Sequence, residues 1–185
     1  MVNPMLKLRS AVRVAKIGTA GLVIVCTGFG QRPTSPPAST SIKIAARQIS
    51  VDYYAPSMHG RRIMGELVPF GQVWCPGANV ATGLTTEADL QIGNLKVHKG
   101  TWSIWAIPGE KEWTLIINKR SGQHHLDYNS AEDLGKTKMT VKTLAKPVET
   151  FRIELSSNGG ASSKTGTLAL IWETTEASIP FTVLP

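Results

Sequence analysis

The sequence predicts an all-β protein, a single antiparallel β-sandwich (or partly closed barrel) of about eight to nine strands. Three observations favour this fold class. Apolar residues recur at every second position, as on a strand with one buried face, and not at helical spacing. The turn signals Pro108-Gly109, Lys146-Pro147 and Asn158-Gly159 separate alternating runs, and no stretch indicates an amphipathic helix. The clearest run is the tryptophan-rich hairpin at 100–118, where two alternating strands meet at Pro108-Gly109. Its apolar faces carry Trp102, Ile104 and Ala106 on the first strand and Trp113, Leu115 and Ile117 on the second.

The other alternating runs follow in order along residues 49–183. The run at 49–54 ends before Pro56, and the run at 89–97 turns at Gly93-Asn94 as a tight hairpin. In the last run, Pro180 predicts an edge strand, because proline cannot donate to a β-ladder. The runs after the tryptophan-rich hairpin are 138–143, 151–155, 168–173 and 179–183.

The N-terminus predicts export. Residues 1–16 carry basic and no acidic side chains, and a short apolar run follows before small residues near position 30. This order is typical of a secretory signal peptide over residues 1–30, so we expect a periplasmic or extracellular protein. One alternative is an uncleaved anchor, which the short apolar run disfavours. Another is a lipid anchor at Cys26, which the branched Val25 before it disfavours.

Composition indicates the domain boundary and the possible partners of the chain after residue 30. Residues 31–41 are rich in Pro, Ser and Thr and predict an extended or disordered linker, so the domain is expected over 42–185. Of the 185 residues, 20 are basic and 13 acidic; without residues 1–30 the formal charge falls from +7 to +3. This balance gives no electrostatic case for nucleic acid. A single cysteine, Cys75, then remains, which excludes a disulfide framework.

Candidate ligand-binding residues lie at the end of the run at 49–54 and just after it. Tyr53, His59 and Arg61 belong to a segment whose aromatic and guanidinium groups suit an anion or a sugar. The alternative is a structural loop whose tyrosines cap the sheet. Trp105 stands an odd number of residues from Trp102, so the two rings face opposite sides of a strand. Trp105 is therefore either a stacking surface for a ligand or part of the core.

The histidine pair at 124–125 offers the weak candidates for a metal site. His125 and Asp127 would share one face of a strand, which provides at most half a ligand set. The alternative is a polar loop, and no cofactor is expected. Cys75 lies in an apolar setting beside Trp74 and is read as an unactivated, buried thiol.

Several blocks in order resemble the bacterial exported family called domain of unknown function 2911. The resemblance covers about 49–183 and implies an exported protein of unassigned biochemistry. Asn79 belongs to one of these blocks and joins the candidate binding residues. The blocks are Val51-Asp52-Tyr53, Leu67 to Trp74, Gly77-Ala78-Asn79, Ile107 to Thr114, Leu170 to Glu173 and Ile179-Pro180-Phe181.

The chain departs from the family pattern at two positions. Cys75 stands where arginine is common, and Val80 stands where glutamate is common. If that pair forms a polar site, this protein lacks it. If the pair is a structural ion pair, two apolar residues replace it together, which is often neutral or stabilising. We favour the second interpretation.

The sequence therefore favours a non-catalytic binding module for an envelope, peptide or glycan ligand. One alternative is a hydrolase or metal-dependent enzyme that uses His59, His125 and Asp127. Another is a structural or assembly factor of the cell envelope, whose partner covers an edge strand such as 177–183. Fold class alone does not choose among them.

Overall fold

The structure, a computed structural model, describes residues 35–159 and 163–185. The predicted signal peptide, the lipid-anchor alternative at Cys26 and linker residues 31–34 lie outside the described residues. The described chain is almost entirely β, with a single 3-10 turn at Ser130–Glu132. None of its helices has the length and apolar character that a membrane span requires.

Nine strands form one antiparallel sheet in the order β1-β2-β3-β6-β7-β8-β9-β4-β5, which does not close into a barrel. This confirms the predicted fold class. The strands are β1 (Pro37–Ile44), β2 (Arg47–Tyr54), β3 (Gly83–Thr86), β4 (Leu90–Ile92), β5 (Leu95–Val97), β6 (Gly100–Ile107), β7 (Glu112–Asn118), β8 (Asp133–Ser157) and β9 (Thr165–Val183).

The sheet folds over itself at the long β8–β9 hairpin. Its ladder shifts register on both sides of Val148, and Glu173 opposite has a left-handed φ of 51°. Beyond the bend, the amide of Phe151 donates to the carbonyl of Pro56, which follows β2. All nine strands consequently contribute buried residues to one core, as in a sandwich.

Strand alternation determines which residues reach that core. Ile104 of β6 and Leu115 of β7 are fully buried in it. Trp74, from the long connection 55–82, stacks on Trp172 at 6.2 Å and meets Trp113 edge-on at 5.9 Å. The predicted inward register of the tryptophan-rich hairpin is therefore confirmed.

The opposite face of β6 and β7 carries a second apolar cluster. It consists of Cys75, Ala81, Trp105 and Ile116, with Tyr128 packed against it. Two loops, 76–82 and 119–132, cover this face of the sheet. This arrangement places Trp102 and Trp105 on opposite faces, as their spacing predicts.

Three details differ from the sequence expectations. β1 begins at Pro37, inside the predicted linker, because its backbone pairs with β2 although its sequence has little apolar alternation. The runs expected as separate strands are continuous in β8 and in β9. Pro147 falls where the β8 ladder shifts register, so no regular donor is needed there.

The prediction of an edge strand at the C-terminus is wrong. β9 lies between β8 and β4, and the edges of the sheet are β1 and β5. Pro180 is tolerated because it follows Ser178, the last residue paired with β8, and precedes Phe181, the first paired with β4. A partner that covers 177–183 as an edge is therefore not supported.

Candidate functional site

A cleft of about 620 Å³ lies where the outer face of β1, β2, β3 and β6 meets the two loops that cover the second cluster. Sheet residues form its floor and loop residues form its wall. Its volume is in the range of small-ligand sites. The lining residues are Pro37, Ala38, Ser39, Asp52, Tyr53, Tyr54, Val80, Ala81, Gly83, Thr101, Ser121 and Gly122.

A polar row crosses the floor of this cleft from strand to strand. The register pairs Ser39 with Asp52, Asp52 with Gly83, and Gly83 with Ser103. Cross-strand partners share one face of a sheet. The neighbours Val51 and Leu84 are buried in the core, so this row points away from it.

Gly83 leaves the middle of the row without a side chain. A Cβ added there would meet only the carbonyl of Trp102, at 4.0 Å, and Gly83 does not have the left-handed φ that restricts a side chain. Space is therefore open directly beside Asp52. A ligand can approach the sheet backbone more closely here than at any neighbouring position that carries a Cβ.

Asp52 is the ionisable acid of the cleft. It is exposed, and its carboxylate has no hydrogen-bond or ion-pair partner among the described residues. The lining holds no lysine, arginine or histidine side chain. The cleft is therefore suited to a neutral or cationic group and unsuited to an anion.

Tyr54 and Val80 supply apolar surface to the same cleft as that carboxylate. Tyr54 is two residues from Asp52 on β2, so its ring lies on the same outward face. Val80 is 38% exposed on the loop wall. Apolar surface beside a few polar groups is the usual composition of a small-ligand site.

The loop wall is held in place by hydrogen bonds between its two segments. The amide of Ala81 donates to the carbonyl of Gln123 at 2.8 Å, and the amide of His125 donates to the carbonyl of Asn79 at 3.1 Å. Asn79 has a φ of 61°, a conformation that asparagine tolerates well. Its side-chain amide donates to the carbonyl of Ser35 at 3.4 Å. Asn79 thus orients the wall and is not itself a lining residue.

Trp105 and Tyr53 lie behind the cleft surface. Trp105 is only 1% exposed, and its indole N–H donates to Ser103 Oγ at 2.9 Å. The Tyr53 ring packs edge-on against Phe151, and its hydroxyl accepts from the amide of Ile153 at 3.1 Å. Tyr53 therefore meets the cleft mainly through its backbone, and Trp105 supports the wall from inside.

His59 and Arg61 lie away from the cleft lining. The amide of His59 donates to Glu149 Oε1 at 2.8 Å. The Arg61 guanidinium donates to the carbonyls of Ser57 and Met58 at 2.7 and 2.8 Å. Both residues thus shape the connection that follows β2, and the structure does not bring them together with Asn79.

The weak metal candidates lie on loop 119–132. The His124 and His125 rings are 4.5 Å apart, and Asp127 pairs with Arg120 at 2.5 Å. Partial burial, and then the neighbouring His124, lower the pKa of His125. Within 35–159 and 163–185, no three His, Cys, Asp or Glu side chains converge as a metal ion requires.

The two positions that depart from the family pattern have different environments. Cys75 is buried in the second cluster, and burial raises the pKa of its thiol to about 11, so it is protonated at neutral pH. Val80 lines the cleft. An apolar residue at position 80 therefore makes the loop wall of this protein more hydrophobic than a glutamate would.

Sequence reasoning missed Asp52, Gly83, Ser39 and Thr101 as neighbours in one cleft. Alternation places Asp52 on an outward face, but it does not tell which strands lie beside β2. The long connection 55–82 separates β2 from β3, and the register between them follows from the fold alone.

A model of the family described as protein of unknown function (DUF2911) matches residues 35–181. This confirms the resemblance read from the sequence blocks. No curated protein and no solved structure matches the chain.

Proposed function

Because this chain belongs to DUF2911, a family of unknown function, we propose its role from its own geometry: a non-catalytic binding module whose ligand occupies the cleft beside Asp52. The observation that carries the proposal is the open floor at Gly83, next to a carboxylate without a partner among the described residues, in a cleft that Tyr54 and Val80 also line.

The chemistry of the lining supports binding over catalysis. Serine and threonine hydroxyls line the cleft, but no histidine or cysteine side chain stands among the lining residues to activate them. No histidine is a lining residue: His59 bonds to Glu149 through its amide, and the amide of His125 bonds to the carbonyl of Asn79 behind the loop wall. One carboxylate, hydroxyls and apolar surface can orient a ligand without a reaction.

The test is a ligand-observed NMR screen of short envelope-type glycans and short peptides against the purified protein and two variants. Gly83→Leu places a side chain in the open floor, where the backbone accepts one. Ser50→Leu is the matched control, since Ser50 lies two residues before Asp52 on the same outward face of β2 but does not line the cleft. We expect Gly83→Leu to weaken binding at least about tenfold, which is about 1.4 kcal/mol, and Ser50→Leu to leave it within about twofold.

Two results would reject the proposal. One is a panel in which no glycan or peptide binds the unaltered protein. The other is a ligand that binds Gly83→Leu as tightly as it binds the unaltered protein. Circular dichroism of each variant checks that the sheet is retained.

We also propose that the protein is exported after removal of a leader ending near residue 30. The support is the basic, then apolar, then small-residue order of its N-terminus. Mass spectrometry of the protein from a bacterial envelope fraction should find a mature chain that begins near Gln31. A mass that retains residues 1–30 would contradict cleavage, and a lipid-modified Cys26 would favour the anchor instead.

A further inference from the structure

We infer that the cleft binds an amino sugar, with the protonated amine at Asp52 and the pyranose ring between Tyr54 and Val80. This inference rests on the proposed function and specifies its ligand class. Three observations support it: the negative charge of the cleft, the pairing of the main-chain groups of β2 and β3 within the sheet, and the hydroxyl side chains beside Asp52.

Charge gives the first step. Asp52 is the one acidic residue of the lining, and no cationic side chain lines the cleft to neutralise it. A neutral ligand would leave the carboxylate without a counter-charge, whereas a protonated amine would complement it. Hydrogen bonds between an ionised donor and a carboxylate are about twice as strong as neutral ones.

The pairing of the floor argues against an extended peptide. Recognition of such a peptide relies on free main-chain groups along an exposed sheet edge. Here β2 is paired with β1 on one side and β3 on the other, and β3 is paired with β2 and β6. The free edge of the sheet lies along β1, whereas Asp52 and Gly83 stand on the face of inner strands, so recognition at these two residues must come from side chains.

The side chains beside Asp52 suit a polyhydroxylated ring. Ser39, Thr101 and Ser121 line the cleft, and each hydroxyl can both donate and accept. Tyrosine combines an apolar ring with a polar tip, which matches the C–H face and the hydroxyl rim of a pyranose.

Other surfaces of the described chain give less evidence for a ligand. Three lysines of β8, Lys136, Lys138 and Lys142, pair with acids, as Lys138 does with Glu112 at 2.7 Å. The exposed apolar residues Leu67, Phe70 and Val73 lie in the connection 55–82, and nothing there indicates what covers them. The Asp89–His98 pair is an exposed contact at a turn.

The experiment compares two trisaccharides by isothermal titration calorimetry at a mildly acidic pH. One is the trimer of glucosamine, whose amines are protonated, and the other is its fully N-acetylated, neutral form. We expect the amine trimer to bind the unaltered protein at least about tenfold more tightly, because a hydrogen bond between an ionised donor and a carboxylate is stronger than a neutral one. Raising the salt concentration should weaken the binding of the amine trimer, since the cleft is open to solvent.

Asp52→Asn tests the carboxylate with little change of shape. It should lower affinity for the amine trimer about tenfold or more and bring the two trimers level. Glu154→Gln is the control, because it removes one exposed carboxylate that pairs with Arg152 outside the cleft. Tyr54→Ala should weaken both trimers to a similar extent.

The outcomes distinguish this inference from the proposed function. Equal binding of the two trimers, or no effect of Asp52→Asn, would overturn the amino-sugar assignment. Binding that Gly83→Leu still abolishes would nevertheless retain the cleft as a binding site. A lysine-containing tripeptide that binds more tightly than the amine trimer would also overturn the assignment, in favour of a cationic peptide.

Discussion

Two buried tryptophans differ in whether the indole N–H has a hydrogen-bond partner, so together they test what such a bond contributes to stability. Trp105 and Trp113 are 1% and 2% exposed, on opposite faces of the tryptophan-rich hairpin. The Trp105 indole N–H donates to Ser103 Oγ at 2.9 Å, whereas the Trp113 indole N–H has no partner among the described residues. The substitutions Trp105→Phe and Trp113→Phe therefore remove the same atoms from two different hydrogen-bonding states.

The magnitude follows from that difference. Both substitutions lose the same apolar area and leave cavities of similar size, so those terms largely cancel in the comparison. Trp105→Phe also loses a hydrogen bond, which costs about 0.5–1.5 kcal/mol. Trp113→Phe removes an unsatisfied buried donor, whose burial costs about 1–3 kcal/mol. Trp105→Phe should accordingly destabilise the protein by about 1.5–4.5 kcal/mol more than Trp113→Phe.

Urea unfolding followed by far-ultraviolet circular dichroism measures the difference without relying on the altered fluorophores. With a slope of about 1–3 kcal/mol per molar urea, the midpoints of the two variants should differ by about 0.5 M or more. Equal midpoints, or a lower midpoint for Trp113→Phe, would refute the reasoning that the Trp113 indole N–H is unsatisfied.

Three other predictions concern the turns and the core. Hydrogen bonds from the amide of Lys99 and then from His98 hold the pKa of Asp89 below its ordinary value. The stability that Asp89 provides is therefore present above its unfolded-state pKa and is lost as pH falls through its folded-state pKa. The urea midpoints of the unaltered protein and of Asp89→Asn should converge at low pH, and a constant gap between them would contradict this. Burial of the Cys75 thiol predicts slow alkylation in the native state and fast alkylation in urea, and equal rates would place Cys75 at the surface. Trp113→Ala should cost about 3–5 kcal/mol of unfolding free energy, and an unchanged denaturation midpoint would exclude Trp113 from the core.

The sequence predicts the fold class because alternation is a local property. The inward register of Ile104 and Leu115, and the opposite placement of Trp102 and Trp105, follow from the two-residue period and are confirmed. Strand breaks predicted from prolines are less accurate than the predicted registers. Pro147 and Pro180 suggest breaks, yet each lies where a ladder is interrupted inside a continuous strand.

The candidate site is less accessible to sequence reasoning because it depends on non-local pairing. Asp52 and Gly83 are adjacent only through the register of β2 and β3, and the loop that carries Val80 reaches the cleft through hydrogen bonds to loop 119–132. The sequence points to aromatic, charged or amide side chains as candidate binding residues, and not to Gly83. The most informative position in the cleft is a glycine, whose contribution is the space it leaves.

We propose that the outward face of the sheet at Asp52 and Gly83 binds a ligand. Titration of the glucosamine trimer into the isotope-labelled protein, followed through its backbone amide signals by NMR, tests this binding at single residues. We expect the largest shifts to cluster at Ser39, Asp52, Gly83 and Thr101. Shifts confined to 57–64, or no saturable shift at all, would exclude ligand binding at this face.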